Sequence, residues 1–264
     1  MVQRVRIRYA KRGRLRFTSH RDFARAFERA LRRAAVPMAY SAGFSPHPKV
    51  SYVGAAPTGV ASEAEYLEIG LAAPVDVQRL RDALDAALPP GLDVLECVEA
   101  RPGGGGLPDR VDASAWRDEL PGVPVEAAAA AVAAFLARAE VQVERLTKDG
   151  RRLLDARGPV LTATVGAPPG RPGEACAILD LVVRQVTPAV RPDDVLAALR
   201  AVAGLAPAAP HQATRLAQGR LDDRGRLTDP LAPDRAAVIP ATEAEDAPRA
   251  AEQAVPSVGS TPAG

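Results

Sequence analysis

Two histidines and a cluster of cations are the side chains of this chain whose types and spacing support chemistry. His20 and His47 lie in an N-terminal segment dense in arginine. His47 stands in Gly43-Phe44-Ser45-Pro46-His47-Pro48-Lys49, where a proline on each side fixes the backbone and leaves the imidazole little entropy to lose on binding. Two imidazoles with Lys49 to hold a phosphate would serve as a general acid and base. The same residues can do less: His20 caps or packs at a helix start and His47 stacks on Phe44 or a nearby aromatic. No third residue at a diagnostic spacing completes a triad or a metal-ligand set, so binding is preferred and catalysis by His20 and His47 is the alternative. Glu63, Glu65 and Glu68 are close enough in sequence to hold a divalent ion, but carboxylates so spaced are ordinarily the solvated face and ends of a strand, and no metal site is expected.

The arginines are the stronger signal. The first 53 residues hold thirteen Lys or Arg against only Asp22 and Glu28, a local charge of +11, whereas the other 211 residues carry −9. Segregation of sign along a chain of net charge +2 points to a polyanionic partner. Of the 34 basic residues all but Lys11, Lys49 and Lys148 are Arg; a GC-rich genome explains that preference but not the clustering. On a helix at 100° per residue, Arg21, Arg25, Arg29, Arg32 and Arg33 share an arc of about 120°, opposite Phe23, Phe27, Ala30, Leu31 and Ala34. Like charges at i,i+4 cost a few tenths of a kcal/mol per pair unless an anion is near. These five, with His47 and Lys49, are the candidate RNA- or phosphate-binding residues. Eight of the ten aromatics lie in the first 66 residues; Phe23 and Phe27 belong to the helix's apolar face, and Tyr40 and Phe44 are the candidate base-stacking residues, with Tyr52 a third that a small core would equally use.

Several classes are excluded by inspection. Gly103 to Gly106 lacks the Lys-Ser/Thr of a phosphate-binding P-loop, and no G-x-G-x-x-G joins a strand to a helix. Cys97 and Cys176 are too few for a disulfide framework or a four-thiolate site, and without C-x-x-x-C-x-x-C the chain holds no radical S-adenosylmethionine cluster by itself. No apolar run reaches the roughly 18 residues of a membrane span, and MVQRVRIRYA has charges without a following apolar stretch, so a cytoplasmic location is expected.

The elements that must position these residues follow from periodicity. Val2 to Tyr9 alternates as a strand with Val5, Ile7 and Tyr9 inward and Arg4, Arg6 and Arg8 on an open basic face. Ser19 and Asp22 start a helix from about His20 to Ala35, closed by Pro37. A short strand at 50–53, an alternating strand at 62–71, a helix at 75–88 stopped by Pro89-Pro90-Gly91, and a strand at 92–98 complete a βαββαβ, ferredoxin-like α+β module over residues 1–100. Residues 101–123, with four consecutive glycines, are expected to be a linker. A second ferredoxin-like α+β module is expected over 124–228, with helices at 125–139 and 193–203 and strands at 141–146, 160–165, 176–186 and 214–221. The Pro-, Ala- and Glu-rich residues 229–264 are expected to form a disordered tail.

The segments FTSHRDFARAFERALRRAAVPMAYSAGFSPHPKVSY and PTGVASEAEYLEI resemble the signature of a bacterial radical-SAM-associated family, a domain of unknown function. The resemblance is dense over residues 3–71, looser to about 220, and absent from the tail. Ser19, His20, Asp22, Arg29, Arg32, Arg33, Ser41, Gly43, Phe44, Pro46, His47, Pro48, Lys49, Gly59, Ser62, Glu63 and Tyr66 fit its pattern. Members are fused behind a radical-SAM protein with a cobalamin-type N-terminal domain, or encoded beside one. The resemblance therefore implies the stand-alone form of an accessory protein, with the iron–sulfur cluster and S-adenosylmethionine carried by its partner and no cofactor on this chain; it supplies no reaction. The expected function is binding of tRNA or rRNA and its presentation to the radical-SAM enzyme. The alternatives are an enzyme acting on a phosphorylated substrate through His20 and His47, and an adaptor that docks the radical-SAM protein without nucleic acid.

Overall fold

Gln3–Lys11 forms β1, with Val5, Ile7 and Tyr9 on one face, as the alternation predicts. The computed structural model describes residues 1–147, 150–170 and 175–235. After β1 come α1 (His20–Arg33), β2 (Val50–Val53), β3 (Ala61–Leu71), α2 (Val77–Ala87) and β4 (Leu92–Glu99). Strand β1 lies between β3 and β4, antiparallel to both, and β2 pairs with Tyr66–Ile69 of β3. The order β4-β1-β3-β2 is that of the expected ferredoxin-like module. Capping fixes where its helices begin: Ser19 Oγ accepts from the Asp22 N–H at 3.2 Å, and Asp76 Oδ1 accepts from the N–H groups of Gln78 and Arg79 at 3.0 and 2.8 Å. Phe23, Phe27 and Leu31 of α1 and Leu80 and Leu84 of α2 bury against Val5, Ile7, Leu67, Ile69 and Val94. Tyr9 and Phe23 stack at 4.3 Å with their planes 2° apart, which fixes the rotation of α1 on the sheet.

The second half repeats this topology with β5 (Ala113–Pro121), α3 (Val125–Leu136), β8 (Val160–Gly166), β9 (Cys176–Arg184), α4 (Pro192–Ala203) and β10 (Gln212–Leu221); a hairpin of β6 (Gln142–Thr147) and β7 (Gly150–Asp155) is inserted after α3. The order β10-β5-β9-β8 reproduces that of the first module. Its core joins Trp116, Leu120, Val132, Phe135, Leu179, Leu181, Val195 and Leu199. The modules share one nine-stranded sheet because β2 covers only part of β3, leaving Ala61 and Ser62 to pair in parallel with Thr214 and Arg215 of β10. At Gly219 of β10 an added Cβ would lie 1.9 Å from the Thr228 carbonyl oxygen of the short β11 (Leu227–Thr228). Gly219→Ala is expected to cost about 1–3 kcal/mol, read as a lowered unfolding midpoint.

Three expectations are corrected. Residues 101–123 are not a linker throughout: from Ala113 they form β5, the central strand that pairs with both β9 and β10. The stretch 229–235 is not a free tail, because Leu231 and Asp234 are fully buried and 232–235 form a helical turn, α5 (Ala232–Arg235). The remainder of the expected tail, 236–264, lies outside the described residues. The second face of β1 is not open. Residues 101–111 and 229–235 lie across it, with Leu107, Val111 and Leu231 packing on Val53, Ala64, Tyr66 and Val98.

Arg6 therefore has no exposed surface, and its three nitrogens donate to Glu68 at 2.8 Å, Asp234 at 2.8 Å and the Gly105 carbonyl at 2.5 Å. Arg4 pairs with Glu68 and Arg8 donates to the Glu63 carbonyl. Arg6 thus holds the cover in place, while Arg4 and Arg8 are tied to the neighbouring strand β3.

Candidate polyanion-binding surface

Helix α1 turns Arg21, Arg25, Arg29, Arg32 and Arg33 outward, all exposed, opposite its buried phenylalanines. Arg33 is engaged: it donates at 2.9 Å to the Ala87 carbonyl at the C-terminus of α2, where a cation also opposes the negative end of the helix dipole. Arg25 has only Asp22, 3.9 Å away and largely exposed, a spacing that contributes little in water. Arg21, Arg29 and Arg32 have no ion-pair partner among the described residues. Three free guanidiniums and one weakly paired one thus stand along a rigid rod about 20 Å long, given a rise of 1.5 Å per residue.

The loop after α1 is a closed hairpin. Tyr40 and Pro48 pair as an isolated bridge, the Ser41 N–H donates to the His47 carbonyl at 2.9 Å, and the His47 N–H donates to Ser41 Oγ at 3.1 Å. Ser41 Oγ also lies 2.9 Å from His47 Nδ1, which fixes the ring. Phe44 at the tip is entirely exposed and Tyr40 about half so. His47 and Lys49 line a shallow concavity of about 370 Å³ with Arg4, Ser51 and Glu68. Glu68 and Gly70 face away from the α1 side of the sheet, where Leu67 and Ile69 lie, so this concavity opens toward the other face.

His20 is placed elsewhere. Its ring meets Tyr52 edge-on at 4.8 Å, and it borders a void of about 10 Å³ with Tyr9, Lys11 and Glu65. His20 and His47 are thus not brought into one cavity, and the geometry for a shared acid–base reaction is missing. Tyr52 is half-buried between His20 and Phe23. The three glutamates do not converge either: Glu63 pairs with Arg12, Glu68 with Arg4 and Arg6, and Glu65 accepts from the Ala56 N–H at 2.9 Å. Among the described residues no group of three or more His, Cys, Asp or Glu is placed to hold a metal ion, and no helix is long and apolar enough to cross a membrane.

Residues not singled out from the sequence gather where the modules meet. Lys11 is buried and donates to the carbonyls of Ala56 and Pro57 at 3.2 and 3.0 Å; burial pulls its pKa down. Arg215 of β10 is buried behind Trp116 of β5. His211 bridges Asp118 and Asp193. Both thiols are buried, and burial pushes Cys97 up to about 12, so it is protonated and inert at neutral pH.

No protein in a comparison with curated proteins matches the chain. The family model of an uncharacterized protein conserved in bacteria, DUF2344, matches residues 4–192, from the first strand through the start of α4, and on that coverage the chain belongs to this family.

Proposed function

We propose that this protein binds RNA through the α1 face and acts as the accessory subunit of a radical-SAM enzyme that modifies tRNA or rRNA. The observation that carries the RNA half is the row Arg21, Arg25, Arg29 and Arg32, exposed along one helix face that also carries Glu28, with Asp22, 3.9 Å from Arg25, the one carboxylate at ion-pair distance among the described residues. Guanidiniums exposed along a rigid helix can contact successive phosphates and supply affinity without reading sequence. The exposed Phe44 and Tyr40 on a closed loop add what stacking on unpaired bases requires: flat rings with little entropy to lose. The radical-SAM half rests on the resemblance of the 17–52 and 57–69 segments to proteins fused to or encoded beside such enzymes.

Arg21→Ala/Arg25→Ala/Arg29→Ala should weaken binding of a tRNA transcript and lower the slope of log affinity against log salt by about 2, since each lost phosphate contact removes roughly 0.7–0.9. Filter binding from 50 to 300 mM salt reads this directly. An unchanged slope would remove α1 as the site. Retained capture of a radical-SAM protein with no RNA affinity would leave docking of the partner protein in place of RNA binding.

A further inference from the structure

At the junction of the two modules lies a second, separate cleft of about 180 Å³ between the 54–57 segment and the 183–191 segment. Its walls include Trp116, Arg184, Gln185, Arg191, Arg215 and Gln218, and none of its lining residues is acidic. Arg184 and Arg191 are exposed at its mouth; Arg215, at 3% exposure, forms its floor. The Arg215 guanidinium donates to the Gly54 carbonyl at 2.5 Å and lies 4.8 Å over the Trp116 ring. Its nearest carboxylate, Glu65, is 3.6 Å away.

Two features around this floor are unusual. Behind Arg215, at the small void beside His20, lie Lys11 and Glu65, so the buried charges of the junction are two cations to one anion, which is costly in a protein interior. In addition, Arg215 Nε and Trp116 Nε1 are buried donors, and the neighbouring Glu65 Oε1 a buried acceptor, without a hydrogen-bond partner among the described residues, each costing about 1–3 kcal/mol if left so. Both nitrogens belong to side chains that line the cleft, although the two atoms themselves are covered. Asp193, the acid next to Arg191, is turned to His211 at 2.8 Å and does not line the cleft. The N-terminus of α4 beside Arg191 adds no free positive end, because Asp194 in its first turn accepts from the Arg191 N–H at 2.7 Å and pairs with Arg145.

We propose that this cleft binds the phosphate group of a small phosphorylated molecule. Three guanidiniums, of which only Arg215 has a carboxylate within 4 Å among the described residues, Glu65 at 3.6 Å, suit a dianion better than a single carboxylate, and the planar fork of Arg pairs with phosphate oxygens two at a time. The volume sets the scale: it is below the roughly 300–1,000 Å³ of pockets that enclose a whole drug-sized ligand, so it takes the phosphate and leaves the remainder at the mouth, against Arg184 and Arg191. The site is distinct from the α1 face and does not depend on RNA binding.

Trp116 is the only tryptophan of the chain and lies in the wall, which makes it the reporter. Its fluorescence is followed during titration of the full chain with inorganic phosphate, and with acetate at matched ionic strength. A saturable response to phosphate, absent with acetate and at least about tenfold weaker in Arg184→Ser/Arg191→Ser, is the expected result; tenfold corresponds to about 1.4 kcal/mol. Both arginines are exposed, so this variant should retain the unfolding midpoint of the parent, whereas Arg215→Lys, which keeps charge but loses the fork, risks destabilisation and is secondary. Arg21→Ala/Arg25→Ala/Arg29→Ala should leave the phosphate response unchanged, so that failure of this site and failure of the RNA face are told apart. No saturable response, a response that acetate reproduces, or one that Arg184→Ser/Arg191→Ser leaves intact overturns the proposal.

Discussion

Asp234→Ala is expected to lower the unfolding free energy by about 3–5 kcal/mol, the range for removing one partner of a buried ion pair. Asp234 has no exposed surface and is the meeting point of three parts of the chain: Arg6 of β1 at 2.8 Å, Arg110 at 2.6 Å and the Arg101 N–H at 3.0 Å. Arg6 keeps Glu68 in the variant, so it is weakened and not orphaned, which places the expected value toward the lower end. Ending the chain after Thr228 should cost more, because it also removes Leu231, fully buried and worth about 1.5–3 kcal/mol. A chain ending after Arg235 retains both contacts. Burial raises the Asp234 pKa, but the hydrogen bonds from Arg110, the Arg101 N–H and Arg6 outweigh it and hold the carboxyl below its usual range. A depressed pKa contributes stability above the unfolded value of about 3.9 that is lost as pH falls through the folded value. The gap between parent and Asp234→Ala should accordingly narrow in strong acid. Equal denaturant midpoints for chains ending at 228 and 235 would show that 229–235 is no part of the folded unit.

The same residues mark where sequence reasoning works and where it stops. Period-2 alternation put Val5, Ile7 and Tyr9 on one face of β1, and helical spacing put Phe23, Phe27 and Leu31 opposite the arginines of α1; both patterns are local, and both appear in the structure. Alternation says which residues share a face, not what covers it. The cover on Arg6 comes from Gly105 and Asp234, 99 and 228 positions away, and no local pattern announces either. Strand β5 escaped for a different reason. Its sequence ASAWRDELP carries Arg117, Asp118 and Glu119 in succession, a run that reads as solvated, yet Asp118 is buried because His211 neutralises it across the neighbouring strand. The phosphate cleft was hidden likewise: Arg215 lies in an unremarkable strand, and its burial depends on Glu65 and Gly54, some 150 residues earlier. The α1 surface was legible because one helix generates it alone.

Between about pH 6.5 and 10 the protein should lose stability that a His211→Gln variant does not lose. His211 Nδ1 lies 2.7 and 2.8 Å from the two Asp118 oxygens, and Nε2 lies 2.8 Å from Asp193. Hydrogen bonds to Asp118 first and Asp193 second outweigh burial and raise its pKa to about 10. A raised pKa means that the imidazolium's contribution is complete below the unfolded value near 6.5 and is lost as pH rises through the folded one. At 1.36 kcal/mol per unit the ceiling is about 5 kcal/mol. Asp193 is 62% exposed, so water screens that half of the bridge, and about 2–3 kcal/mol is the expected loss. Urea unfolding at pH 6.5, 8 and 10 measures it as the difference between parent and variant, which cancels the lysines and tyrosines that titrate in the same window. A difference independent of pH would mean that His211 is neutral in the folded protein. Charged, with both ring nitrogens donating, His211 has no lone pair with which to accept a proton, so it acts as a brace and not as a base. The brace ties the start of β10 to β5 and to the first turn of α4, the turn that sets Arg191 at the mouth of the junction cleft. Loss of His211 should therefore weaken phosphate binding at that cleft while leaving the α1 face untouched.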